Sequence, residues 1–345
     1  MSGGSISYHL RENKAIERNL FIDLLSRIGR YTNISDYTYV GFGGPFREDF
    51  KAIHSSLRIE KMISIEMDSN VFARQNYNYP ARMIEAKNCT SSEFIDEFDE
   101  IDGNSIFWLD YTQPKELKNQ ITDFRNIISK MQKFDVAKIT LNAHSPSLGS
   151  PKEEEDKDSE LAHLKLHEYR AKVLATRVDS YWNGDIESQD VLPNNYPATL
   201  LRILKNSLHG LQGRIGSIYF QPLASYTYQD GVKMLTLTGV ILDANNRNEI
   251  QNFIDKTRIG SWPYNNLDWS DPKEISVPSL SARERMEIDA MLPLTPPAGK
   301  SIAEVIEEKL GFVPSTSDEL TKGRELLENY ARYYRAYPFF SRVWL

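Results

Sequence analysis

Three glycines fall within four positions of DYTYVGFGGPFREDF (36–50): Gly41, Gly43 and Gly44. A β-branched and aromatic run precedes them and an amphipathic stretch follows. Glycine serves where the backbone must take positive φ or come close to something. A strand that enters such a turn and leaves as a helix is how α/β proteins hold nucleotide-like ligands. A dinucleotide fingerprint would need a third glycine, and Phe46 stands in its place. That weakens a nicotinamide-cofactor reading, because the third glycine permits close helix–strand packing. A second group with chemical potential is Asp110, which closes the apolar run SIFWL. At the carboxyl edge of a sheet a half-buried carboxylate can act as a base or orient a nucleophile. Tyr111 beside it can stack on a planar substrate. His144, in LNAHSP, has the ordinary titration range for acid–base work, but reads first as a surface-loop histidine. Cys89, with no histidine near it in sequence, reads as a buried apolar residue rather than a nucleophile.

These residues need a scaffold. Ile16, Leu20, Leu24 and Ile28 mark an amphipathic helix over 14–30. Short apolar runs follow at 37–41, 61–68, 81–88, 105–111 and 135–144, each read as a strand. Helical patterns lie between them: 45–58, opening at Pro45, then SNVFARQNY, SSEFIDEF and 114–132. Five strands alternating with helices predict a parallel sheet covered on both faces. Residues 145–160, with KEEEDKD, read as an exposed loop, and 159–182 and 197–212 as helices. Two β-rich runs then flank Asp230-Gly231, a hairpin signal. Beyond about 260 the chain is proline-rich and then helical, ending in the aromatic run YARYYRAYPFF. With Arg332 and Arg335 interleaved, that run could stack on nucleobases, but reads first as packing for the appendage.

The chain has 345 residues and a formal net charge of −7, which leans away from bulk duplex DNA. One cysteine excludes an internal disulfide and a cysteine-rich zinc cluster. No apolar run reaches the ~18–20 residues of a membrane span, and the N-terminus lacks a signal-peptide core. The expected compartment is the cytoplasm, with no membrane contact and no metal.

Five alternating units, a hairpin at strands six and seven, the Gly41-Phe42-Gly43 turn and the acid closing strand two resemble a class I S-adenosylmethionine-dependent methyltransferase. The likeness covers about residues 35–245. YHLRENKAIERNLF, YVGFG, ISIE and WLDY are also similar to a group of bacterial methyltransferase-like proteins. The resemblance implies a Rossmann-like, doubly wound, mostly parallel α/β sheet of seven strands, with an antiparallel C-terminal hairpin and helical additions. It implies S-adenosylmethionine as cofactor. Gly41, Phe42, Gly43 and Gly44 would pass its methionine part. Glu66 would take the ribose hydroxyls, as a carboxylate can accept both with charge-assisted strength. Met67 would lie against the adenine, with Asp68 a second acid nearby and Asn88 at the adenine edge. Asp110 and Tyr111 would line the reaction centre. DYTQP is distantly similar to the acid-Pro-Pro-aromatic loop of amino-methyltransferases that act on flipped bases. One departure stands out: the family's acid two residues before the first glycine is Tyr39 here.

The expected organisation is an N-terminal helical segment (1–35), a methyltransferase-like domain (36–255, with 145–195 inserted) and a C-terminal helical appendage (256–345). The expected activity is methyl transfer to an acceptor that the sequence leaves open among small molecule, protein and RNA. The alternative is a catalytically degenerate scaffold that senses a nucleotide or binds a partner. The C-terminal helices are candidates for self-association or partner binding.

Overall fold

The computed structural model describes residues 11–79, 81–98, 102–153, 159–182, 184–211, 218–243, 245–315 and 319–338. The chain divides into two compact units. Of the described residues, the first takes in those within 21–227 and 232–273; the second takes in 11–20, 228–231 and those from Glu274 onward.

In the first unit strand and helix alternate as the periodicity requires: β1 (Thr38–Gly41), α2 (Glu48–Leu57), β2 (Lys61–Ile65), α3 (Ser69–Asn78), β3 (Ile84–Lys87), α4 (Ser91–Glu97), β4 (Ser105–Asp110), α5 (Leu117–Lys130) and β5 (Val136–Asn142). Helix α1 (Glu12–Ile28) precedes them. Helices α6 (Leu166–Val178) and α7 (Tyr196–Leu208) lead to the hairpin of β6 (Ile218–Gln229) and β7 (Lys233–Asp243). Helix α8 (Arg247–Thr257) and the short strand β8 (Lys273–Ile275) follow. The sheet order is β3-β2-β1-β4-β5-β7-β6-β8. Strands β1 to β5 pair in parallel, and β7 runs antiparallel to β5. Among the described residues the sheet therefore has eight strands, one more than expected. The extra one, β8, is three residues long, too short to show a period-2 pattern.

Alternation along β5 separates two environments. Ala137, Ile139 and Leu141 join Phe107, Leu109, Leu235 and Leu237 in an apolar core under α5 and α7. Lys138 and Thr140 point the other way and are equally buried. There Trp108 donates its Nε1 proton to Thr140 Oγ1 at 3.0 Å. The Lys138 ammonium lies 3.3 Å from the Trp108 ring centre and 4.1 Å from that of Phe21. Aromatic faces accept a desolvated cation in this way.

Three local readings change. The helix expected from Pro45 begins only at Glu48, because Gly43, Gly44 and Arg47 all take positive φ, which cannot continue a right-handed helix. The start of the 145–160 loop is not exposed: Ser145 and Leu148 are buried in a 3-10 turn, and Ser145 donates to the Val191 carbonyl. Residues 154–158 of its charged run lie outside the described residues. Helix α8 was not legible, since it buries only Phe253 and Thr257.

The second unit holds α9 (Ala282–Asp289), α10 (Ile302–Leu310) and α11 (Leu320–Tyr333). Capping boxes start α9 (Ser281 with Glu284) and α10 (Ser301 with Glu304). The C-terminal aromatic run is packing material here. Tyr330 and Tyr333 are fully buried, and Tyr330 donates to Asp289 at 2.7 Å. The Arg285 guanidinium lies over Tyr337 at 4.4 Å. Phe339 and Phe340 fall outside the described residues. At the hairpin tip, Asp230 accepts the backbone N–H groups of Asn13 and Lys14, capping the start of α1.

Candidate active site

The register places the sequence-derived residues on one edge. Ser64, Gly41, Trp108 and Lys138 are partners across β2, β1, β4 and β5. Glu66, Gly43 and Asp110 each stand two residues beyond that row: Gly43 and Glu66 just past the carboxyl ends of β1 and β2, and Asp110 as the last residue of β4. Asn88 follows β3, whose Lys87 pairs with Ile65. Two strand spacings of about 4.8 Å put Glu66 and Asp110 roughly 10 Å apart, with the glycine turn between. Ligands of open α/β sheets bind at this edge.

The glycine turn is required by its surroundings. A Cβ on Gly43 would stand 2.8 Å from the Phe50 ring and 3.1 Å from Arg47 Cγ, at a φ of +70°. A Cβ on Gly41 would stand 2.8 Å from the Tyr39 hydroxyl. Tyr39 therefore occupies the space beside the turn, edge-on to Phe50 at 4.9 Å, and only glycine fits beside its phenol. Helix α3 holds the turn from outside. Gln75 donates to the Phe42 carbonyl at 2.9 Å and accepts from Ser64, and Asn78 donates to the Pro45 carbonyl at 2.9 Å. Arg47 is buried and donates to the Tyr79 carbonyl and to Asn76 Oδ1.

Glu66 is half-buried. Its Oε1 accepts the Asp68 N–H at 2.9 Å, and its backbone carbonyl accepts from Asn88 Nδ2 at 2.7 Å. Burial pushes its carboxyl above the usual range, while the Asp68 and Met67 amides pull it down. Beyond these two backbone amides no donor among the described residues reaches the carboxylate, so a ligand hydroxyl can use its spare acceptor capacity. Met67 is 61% exposed beside it.

Asp68 and Asn88 have protein tasks. Asp68 caps α3, accepting the N–H groups of Asn70 and Val71. Asn88 ties the ends of β2 and β3 together, accepting from Ser69 while donating to Glu66. Asp110 ends β4 half-buried. Tyr111 packs its ring edge-on against Phe42 at 5.3 Å. Its hydroxyl donates to Asp123 at 2.8 Å. Burial first, then the Asp123 charge, holds its pKa well above normal, so it stays a phenol. His144 is half-buried, and its backbone N–H donates to Asn142 Oδ1.

Sequence reasoning missed Gln75, Arg47 and Asp123. Asp123 had a signal: it falls on the buried side of α5, beside Gln120, Phe124 and Ile127. Among the described residues no group of three or more His, Cys, Asp or Glu could hold a metal ion, and no helix is long and apolar enough to cross a membrane.

Comparison with known proteins gives a family. A model described as "Putative O-methyltransferase" matches residues 6–345. No curated protein matches. Solved structures similar in fold include the O-methyltransferase from Bacillus cereus in complex with SAH, at 8% identity, covering 69% of this chain and 83% of that one, with a TM-score of 0.36. The plantazolicin methyltransferase BamL, in complex with a triazolic desmethylPZN analog and SAH, is 14% identical over 68% of this chain and 88% of its own, with a TM-score of 0.35. The Methanococcus jannaschii fibrillarin pre-rRNA processing protein is 10% identical, with a TM-score of 0.34. That match covers 60% of this chain and 66% of the fibrillarin.

Proposed function

Because the chain belongs to the "Putative O-methyltransferase" family, we propose that it transfers a methyl group from S-adenosylmethionine to an oxygen acceptor. The observation that carries the reading is the half-committed Glu66 carboxylate, level with the glycine turn at the carboxyl ends of β2 and β1. Its spare acceptor capacity suits a ribose diol. A 2′-phosphate would be repelled, which favours a cofactor with free hydroxyls. Gly41 to Gly44 form the bare surface beside it, with Phe42 as an aromatic neighbour for a sulfonium.

When bound, the cofactor supplies an electrophilic methyl on a positive sulfur. The protein's part is orientation, since in-line displacement gains most from proximity. An acceptor hydroxyl that is methylated would have to give up its proton. Asp110 takes that proton, or orients the hydroxyl so that water takes it. Tyr111 contributes its ring, not its proton, which Asp123 holds. The acceptor stays open among small molecule, protein and RNA, and the cytoplasm is the compartment that fits the sequence.

Titration calorimetry with S-adenosylmethionine, S-adenosylhomocysteine (SAH), NAD and ATP tests this. We expect micromolar binding of the first two only. Glu66→Ala should weaken it by about 10- to 100-fold, the worth of a lost charge-assisted hydrogen bond. Absence of binding to either sulfur ligand would leave the scaffold reading, which Tyr39 in the family's acid position favours.

A further inference from the structure

We propose that Asp123 is a positioning residue of the cleft, holding Tyr111 and the connection from β3 to α4 in one arrangement against the glycine turn. The inference rests on the methyltransferase reading above for its functional meaning.

Asp123 lies on α5 and is 5% exposed. Three hydroxyls converge on its carboxylate. Oδ2 accepts from Tyr111 at 2.8 Å and from Ser91 at 2.6 Å, and Oδ1 accepts from Ser92 at 2.9 Å. Ser91 and Ser92 each have the acid as acceptor, and the Tyr111 hydroxyl, which also stands 3.1 Å from Ser91 Oγ, meets it at the shorter distance. Among the described residues no cation pairs with it. A buried carboxylate without a counter-charge is costly, and charge-assisted hydrogen bonds are what can offset that. Pinning a short helix to α5 would need only an apolar contact.

What the carboxylate does instead is join two walls. Ser91 and Ser92 open α4, directly after Asn88, Cys89 and Thr90 at the end of β3. Tyr111 directly follows β4 and packs on Phe42, whose carbonyl Gln75 holds. Phe42, Tyr111, Asp123, Ser91 and Asn88 thus run as one chain of contacts and short connections along the edge where Glu66 stands. Moving the carboxylate would loosen the adenine side and the reaction-centre side together.

The test uses the full chain with Tyr111→Phe, Asp123→Ala, Asp123→Asn and the Tyr111→Phe/Asp123→Ala double variant. SAH binding is read by calorimetry, and amide hydrogen exchange is read without ligand. Tyr111→Phe and Asp123→Ala should each weaken SAH binding about 5- to 10-fold. The double variant should bind no worse than Asp123→Ala, because both remove one link. Asp123→Asn keeps an acceptor oxygen and should recover most of the affinity. Exchange should quicken at 41–44 and 88–92 in Asp123→Ala, but only at 41–44 in Tyr111→Phe. Losses that simply add, or exchange and affinity both unchanged, overturn the proposal. If Asp123→Ala fails to fold, Tyr111→Phe, which loses one oxygen, still decides it. A parent chain that binds no SAH sinks the methyltransferase reading, and the exchange pattern then judges the clamp alone.

Discussion

The two edges of the sheet each carry a carboxylate, and they treat it differently. At the amino edge Asp135 precedes β5 and is 3% exposed. Its oxygens accept from Asn104 Nδ2 at 3.0 Å, the Ser105 N–H at 2.7 Å and the Gln132 N–H at 2.9 Å. Close by, Tyr37 donates to the Phe134 carbonyl, and Phe134 stacks on Phe253. At the carboxyl edge Glu66 accepts only from the amides of its own turn, Asp68 and Met67, beside an exposed methionine side chain. Burial raises the pKa of both acids. Burial therefore does not tell architecture from site; the hydrogen-bond account does. A buried acid whose neighbours consume it knits connections together. One that is half used, at the edge where parallel sheets bind ligands, is left for something else.

Removing each acid should separate the edges. Asp135→Ala strands the Ser105 and Gln132 N–H groups, while Asn104 keeps its bond to the Lys133 carbonyl, and it should cost roughly 3 kcal/mol in urea unfolding, since each unsatisfied buried donor costs about 1–3 kcal/mol. SAH affinity of the folded variant should be unchanged. Glu66→Ala should shift stability by no more than about 1 kcal/mol while losing most ligand affinity. Equal stability losses at the two edges would break the comparison.

The sequence shows the site's backbone better than its supports. Strand ends, glycine turn and edge acids lie in local runs, so Gly43, Glu66 and Asp110 could be placed by pattern, and the register then puts them level, two residues beyond Gly41, Ser64 and Trp108. The period-2 signal in VAKITLN also separates Ile139 from Lys138. Contacts that cross 31 to 33 positions are invisible to such patterns. The Gln75 bond to Phe42 and the Asp123 bonds to Ser91 and Ser92 are of this kind. Asp68 shows a different limit. An acid after a strand and before a helix reads equally as ligand or cap, and its oxygen's position over Asn70 and Val71 makes it a cap. Tyr111 was legible as an aromatic wall, but the use of its hydroxyl depended on a helix twelve residues away.

The smallest effect sharpens the contrast most. Burial lifts the Glu66 carboxyl above its ordinary 4.5. The folded chain without ligand then holds that proton more tightly than the unfolded chain does. The stability this contributes is fully present below pH 4.5 and is lost as pH rises through the folded-state pKa. Glu66→Gln removes the dependence but keeps an acceptor for the Asp68 N–H. The variant should therefore be slightly more stable than the parent at pH 7 and match it below 4.5, read from urea midpoints across a pH series. Half-burial keeps the gain small, because solvent screens the charge. Binding should move the other way. SAH affinity of the parent should fall as pH drops through the Glu66 pKa, while the weaker affinity of Glu66→Gln stays flat. A site acid that costs stability without ligand and supplies affinity with it is the trade expected where function sets the residue. Parallel midpoints for parent and variant at every pH would make Glu66 an ordinary solvated acid, and the two edges would then differ only in exposure.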